Sequence, residues 1–132
     1  MSSLLALALA FTVAGPAPAS SDSLRDDRDV RLTALRNARS VMRCYEEHGL
    51  RRQPELEGVV EVSLTVEPTG VVSEVQVASA TLAGPGSREV AACIATAARQ
   101  WRFERGPFDV EVIVFPFVLR PELAAEHRER RA

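Results

Sequence analysis

The strongest constraint on this chain is a change of period. After Gly58, the apolar residues Val60, Val62, Leu64 and Val66 alternate with Glu61, Ser63, Thr65 and Glu67. Alternation of this kind gives a strand one face for a core and one for water, a pattern that no helix can use. Glu67-Pro68-Thr69-Gly70 comes next, with a proline to fix one dihedral and a glycine to take the positive one. A hairpin is expected. Its second strand is read over Val71 to Thr81, with Val71, Val75 and Val77 on one face and Glu74 and Gln76 on the other.

On either side of the hairpin the period is helical. Leu35, Ala38, Met42 and Tyr45, extended by Val41 and Cys44, predict an amphipathic helix. Gly49 is read as its left-handed C-terminal turn, with Pro54 blocking continuation, and Glu46 and Glu47 fall on its wetter side. Ala83-Gly84-Pro85-Gly86 breaks the pattern, after which Ser87 reads as an N-cap with Glu89 in the first turn. Val90, Ile94, Ala97 and Trp101 mark the apolar face of this second helix, and Cys93 lies beside it. Trp101, closing a helical stripe, is read as core rather than as a ligand platform. Beyond Arg105-Gly106-Pro107, Val110 to Leu119 reads as a last strand. Pro116 cannot donate to a ladder, which places that strand at a sheet edge at least in its second half. The fold class is therefore α+β in the order α-β-β-α-β. A right-handed crossover gives a three-stranded antiparallel sheet ordered second, first, last, with both helices on one face.

The 132 residues make one domain. Residues 1–19 read as a secretory signal peptide: Leu4 to Ala14 is apolar, and Ala17-Pro18-Ala19 supplies small residues for cleavage after Ala19. The apolar run is too short for a permanent anchor, so the mature chain is expected to carry no integral membrane segment. Residues 20–34 read as a charged, solvated lead-in, residues 35–120 as the domain and residues 121–132 as a charged tail with no apolar face to bury. The formal net charge is −2 and every basic residue is arginine. Neither feature indicates a nucleic-acid partner.

Chemistry-bearing residues concentrate in Met42 to Leu50, MRCYEEHGL, which holds a cysteine, two carboxylates and a histidine. In an exported chain two cysteines read more readily as a disulfide than as a reactive site. Cys44 and Cys93 sit on the inner sides of two helices that would share a sheet face, within reach of each other. The rival is a Cys44 thiolate activated by His48, four residues on, but nothing nearby orients the base or holds an oxyanion. His48 and His127 are the only histidines and are far apart in sequence, so both read as exposed, with no metal site expected. The Gly84-Pro85-Gly86 loop matches no nucleotide fingerprint and reads as a connecting turn. No cofactor is implied.

Cys44-Tyr45, Leu50, Pro54, Leu56 and Gly58, the Val62, Leu64 and Val66 strand, Gly70 and Val72, Cys93, Trp101 and Phe103, and Phe115-Pro116-Phe117 resemble the AgmX/PglI C-terminal domain family. That family is similar in turn to the C-terminal domain of TonB. The likeness runs from about Arg39 to Leu119. Glu104 stands where a proline is common, and the chain shows no inner-membrane helix or proline-rich spacer with which to couple membrane energy. The resemblance implies a non-enzymatic module of the bacterial cell envelope that binds by adding a strand to a sheet edge.

The reading that results is an exported binding or adaptor domain, periplasmic or secreted, that recognises an envelope protein or peptide. The alternatives are a secreted thiol-dependent enzyme using Cys44 or Cys93, and a purely structural envelope domain. No catalytic residue is expected on the leading reading. Partner contact is expected along the edge strand at Val110, Val112, Ile113, Val114, Phe115 and Phe117. Val112 and Val114 should face one way and Ile113, Phe115 and Phe117 the other. Two rivals compete for that surface: the charged tail folding back over it, and self-association through it.

Overall fold

A computed structural model describes residues 24–131. The signal peptide and its cleavage point lie outside the described residues. In chain order the elements are α1 (Asp27–Arg36), α2 (Ala38–Cys44) continuing into a π-helical turn (Tyr45–Leu50), β1 (Gly58–Val66), β2 (Val72–Ala80), α3 (Ser87–Ala98), β3 (Glu111–Leu119) and α4 (Pro121–Arg131). The sheet is antiparallel with order β2-β1-β3, the order that a right-handed crossover predicts. The fold is α+β, with four helices where two were expected.

β1 is central because its alternation is complete: Val60, Val62, Leu64 and Val66 are all fully buried. Val90, Ile94 and Ala98 of α3 enter the same core, with Val41, Cys44 and Tyr45 from the helix before it. Trp101, expected on the helical stripe, lies just past the end of α3 and is buried. Its ring centroid lies 5.6 Å from Phe117, 6.2 Å from Phe115 and 6.4 Å from Phe103. Trp101 and Phe103 are therefore core residues, and Trp101 ties α3 to the inner face of β3.

Several local expectations are corrected. In β2 the buried residues are Val72 and Val75, while Val71 and Val77 are part-exposed. Val77 keeps the face of Val75, opposite Val62 as Val75 is opposite Leu64, and only Val71 changes face. The strand carries two bulges: Thr65 faces Glu74 but Val66 faces Val72, and Glu61 faces Ser79 but Val62 faces Val77. Ser73 and Ala78 are thus extra residues, and each flips the face of the residues beyond it. Gly49 is not a left-handed cap, since it lies inside the π turn without a positive φ. There the Arg51 N–H reaches the Glu46 carbonyl five residues back. Glycine is needed at 49 for room, because a Cβ would meet Leu56 Cδ2 at 2.9 Å and Val90 Cγ2 at 3.0 Å. Ser87 is the first residue of α3 rather than its cap. Gly86, at φ +88°, holds the cap position, and Ser87 makes no capping bond.

The lead-in is not solvated throughout. Asp26 caps α1 by accepting from the Asp29 N–H at 2.8 Å, Asp27 and Asp29 occupy its first turn, and Arg36 lies in its last. Thr33 is buried, and so is Arg25 just before the helix. Leu35, expected in the core, is instead 71% exposed, because the helix is interrupted at Asn37 and the phase of α1 is not that of α2. The tail also folds, as α4, with Ala124 buried and the helix packed on α2 and the π turn.

A candidate binding edge on the third strand

Cys44 and Cys93 form a disulfide, with S–S 2.07 Å and Cα–Cα 5.6 Å, closing a sequence separation of 49. Neither sulfur is therefore a thiolate, and the Cys44–His48 nucleophile is not assembled here. His48 and His127 are half-buried rather than exposed. Among the described residues no group of three or more His, Cys, Asp or Glu side chains could hold a metal ion. The stretch MRCYEEHGL serves packing: Tyr45 is buried and donates its hydroxyl to the Leu56 carbonyl. Burial, then the Glu122 and Glu57 carboxylates, push its pKa up to about 12.

The sheet edge at β3 has a different character. Thr81 donates to the Val59 carbonyl and Glu67 donates to that of Val71, so the odd-numbered residues of β1 direct their backbone toward β2. Backbone direction alternates along a strand, and the even-numbered residues of β1 must face β3. Their partners Phe117, Phe115 and Ile113 are therefore the residues that bond back into the sheet. Val112, Val114, Pro116 and Val118 aim their backbone groups at the open side. Pro116, which has no N–H, falls at one of these outward positions, where its missing donor costs the ladder nothing.

Side chains follow the same parity. Val112 and Val114 are 63% and 55% exposed, and Val110 and Val118 are also exposed. Ile113 and Phe115 are part-buried against the core and Phe117 is buried. Of the six expected contact residues, Val110, Val112 and Val114 form one open ribbon. Ile113, Phe115 and Phe117 pack under the helices. The tail does not lie over this ribbon, because its helix packs on α2 and the π turn.

Beside the edge runs a groove with a helical wall that the sequence did not reveal. Arg31, Ala34, Leu35, Ala38 and Met42 face Phe115 to Leu119 across it, and nearer the start of β3 Asp27, Val30 and Arg31 flank Val112 to Phe115. Val118 also belongs to this surface. The signal for the wall lies in the spacing of Leu35, Ala38 and Met42. Period alone assigns these residues inward, because the interruption at Asn37 has no strong sequence mark. Among the described residues Arg31 has no ion-pair partner, whereas Glu111 is engaged by Arg25.

No protein-family model matches the chain, and no curated protein matches it. The likeness to the AgmX/PglI C-terminal domain therefore remains a resemblance of residues. Two NMR solution structures of the Helicobacter pylori TonB C-terminal domain are similar. One is 15% identical, covers 67% of this chain and 80% of that one, and has a TM-score of 0.46. The other is 17% identical, covers 68% and 95%, and also has a TM-score of 0.46.

Proposed function

We propose that this domain is an exported, non-enzymatic binding module that takes up an extended segment of an envelope protein along the free edge of β3. The observation that carries the reading is the coincidence of two exposures on one strand. The outward backbone groups of Val112, Val114 and Val118 have no strand beside them among the described residues, and the same residues present an apolar ribbon to solvent. An edge of this kind is a template for pairing unless it is charged or covered. Strand addition uses both exposures, with main-chain bonds giving affinity and alternate side chains entering the neighbouring groove to give selectivity. An exported location fits a disulfide-stapled core. Among the described residues no helix is long and apolar enough to cross a membrane.

The parity of β3 supplies a selective test. Val114→Pro removes an outward N–H and leaves the ladder to β1 intact, whereas Ile113→Pro removes an inward one and should damage the fold. Proteins captured from envelope extract by the native domain and lost with a folded Val114→Pro variant are the candidates. With one of them purified, hydrogen exchange should slow at Val112 and Val114. Protection confined to another surface would refute the reading. A concentration-dependent dimer abolished by the same substitution would assign the edge to a second copy instead.

A further inference from the structure

We propose that α1 is a hinged lid on the groove beside β3, pivoting at Asn37 and latched by the side chain of Arg25. The latch is one residue holding separate parts of the fold together. The Arg25 side chain is 0% exposed. Its guanidinium donates to the carbonyls of Glu104 and, at 3.0 Å, Glu67, and it pairs with Asp29 at 3.3 Å and Glu111 at 3.7 Å. Its Cζ lies 4.4 Å from the Phe108 ring centroid and 5.6 Å from that of Phe103. The Arg25 backbone N–H also donates to Glu111 Oε1 at 3.0 Å. The start of α1 is thereby tied to the β1–β2 turn, the loop after α3 and the first residue of β3.

The rest of α1 is weakly held. Thr33 is the one fully buried residue of the helix, with its hydroxyl spent on the Asp29 carbonyl at 2.8 Å, and only Val30 and Ala34 add partly buried apolar contact with the core. Leu32 and Leu35, and Leu24 ahead of the helix, all present apolar surface to solvent. At its far end Asn37 leaves helical geometry, at φ −105° and ψ 7°, and makes no side-chain cap for α2. A helix attached by a plug at one end and a bend at the other, with little apolar burial between them, is the kind of element that opens locally before the domain unfolds. Opening would widen the groove along Val112 to Phe115 and uncover Phe103 and Phe108. The consequence for partner access rests on β3 being the docking edge, but the latch does not.

Hydrogen exchange on the full chain tests the device without any partner. Arg25→Met keeps an apolar stem and removes the fork and the charge. Amides of residues 28–36 should then exchange about tenfold faster or more, while those of β1 and α3 stay within about twofold of native. Unchanged exchange in 28–36 would remove Arg25 as the latch. Equal acceleration through β1 would make it an ordinary core residue, and a lid would be refuted. Should Arg25→Met fail to fold, Arg25→Lys, which keeps the charge and loses the planar fork, is read by the same criteria. Asn37→Gly, which frees the bend and removes the 2.7 Å bond from the Asn37 side chain to the Thr33 carbonyl, should speed exchange in 28–36 while leaving β1 unchanged, and no acceleration would refute the pivot.

Discussion

Raising the pH should destabilise this protein through one side chain. The sequence contains a single tyrosine and no lysine, and both cysteines are tied in a disulfide. Between the ordinary range of an α-amino group and that of arginine, Tyr45 is the one side chain left to titrate. In the folded chain its pKa is raised from 10.0 to about 12, by burial first and then by Glu122 and Glu57. In the unfolded chain it ionises near its ordinary value. The folded state therefore holds the proton more tightly, and the resulting stability is complete below pH 10.0 and lost as the pH rises to about 12. A separation of this size corresponds to something on the order of 3 kcal/mol, a large share of the stability of a small domain. Guanidinium unfolding followed by far-ultraviolet circular dichroism at a series of pH values between those limits would read the slope. Tyr45→Phe gives the control: it should cost about 1 kcal/mol at neutral pH for the lost bond to Leu56 and then show little further loss on alkalinisation. A Tyr45→Phe variant that weakened as steeply as the native protein would refute the assignment.

Replacing Cys44 and Cys93 together by alanine should lower stability by about 4 kcal/mol in the chain-entropy account of a loop this long, read by denaturant midpoint, with the edge of β3 unchanged in exchange. Trp101→Ala should cost about 3 to 5 kcal/mol, because the indole fills the space between α3 and the β3 phenylalanines. Trp101→Phe should cost much less, since the buried indole N–H has no hydrogen-bond partner among the described residues and its removal relieves a penalty of about 1 to 3 kcal/mol. Gly70→Ala should be the more damaging of two glycine changes when thermal midpoints are compared. Its φ is +89° and its Cβ would fall on the Phe103 carbonyl, whereas at Gly49 the φ is not positive and a Cβ crowds the buried side chains of Leu56 and Val90 rather than backbone.

Legibility in the sequence tracks how local the cause is. The β1 pattern, the Gly70 turn, α2, α3 and the sheet order follow from period, turn chemistry and handedness, and all of these act within a few residues or through one crossover. Val75 and Val77 are assigned to one face correctly, but Val71 is misread from period because Ser73 carries no signature of a bulge and yet inverts the parity on its turn side. Arg25 is misread for a longer-range reason. Alternating arginines and acids are solvated in isolation, and the partners that bury this one, Glu67, Glu104 and Glu111, lie 42, 79 and 86 positions away. Two of them act through backbone carbonyls, which no residue-type pattern can announce.

The candidate edge is more legible than the wall beside it, and Pro116 is the reason. The register sets Pro116 opposite Glu61, at a position whose backbone faces away from β1. A shift of the pairing by one residue would put the missing donor into the ladder and the valines Val112, Val114 and Val118 into the core. It would also turn Phe117 and the part-buried Ile113 and Phe115 out to water. Both errors would arise together, so the proline and the alternation of β3 specify the same register independently. The groove's helical wall has no such double specification. Leu35 satisfies the α2 spacing as well as it satisfies an exposed place on α1, and only the break at Asn37 decides between them. Residues fixed by two constraints can be read from the sequence, and those fixed by one require the structure.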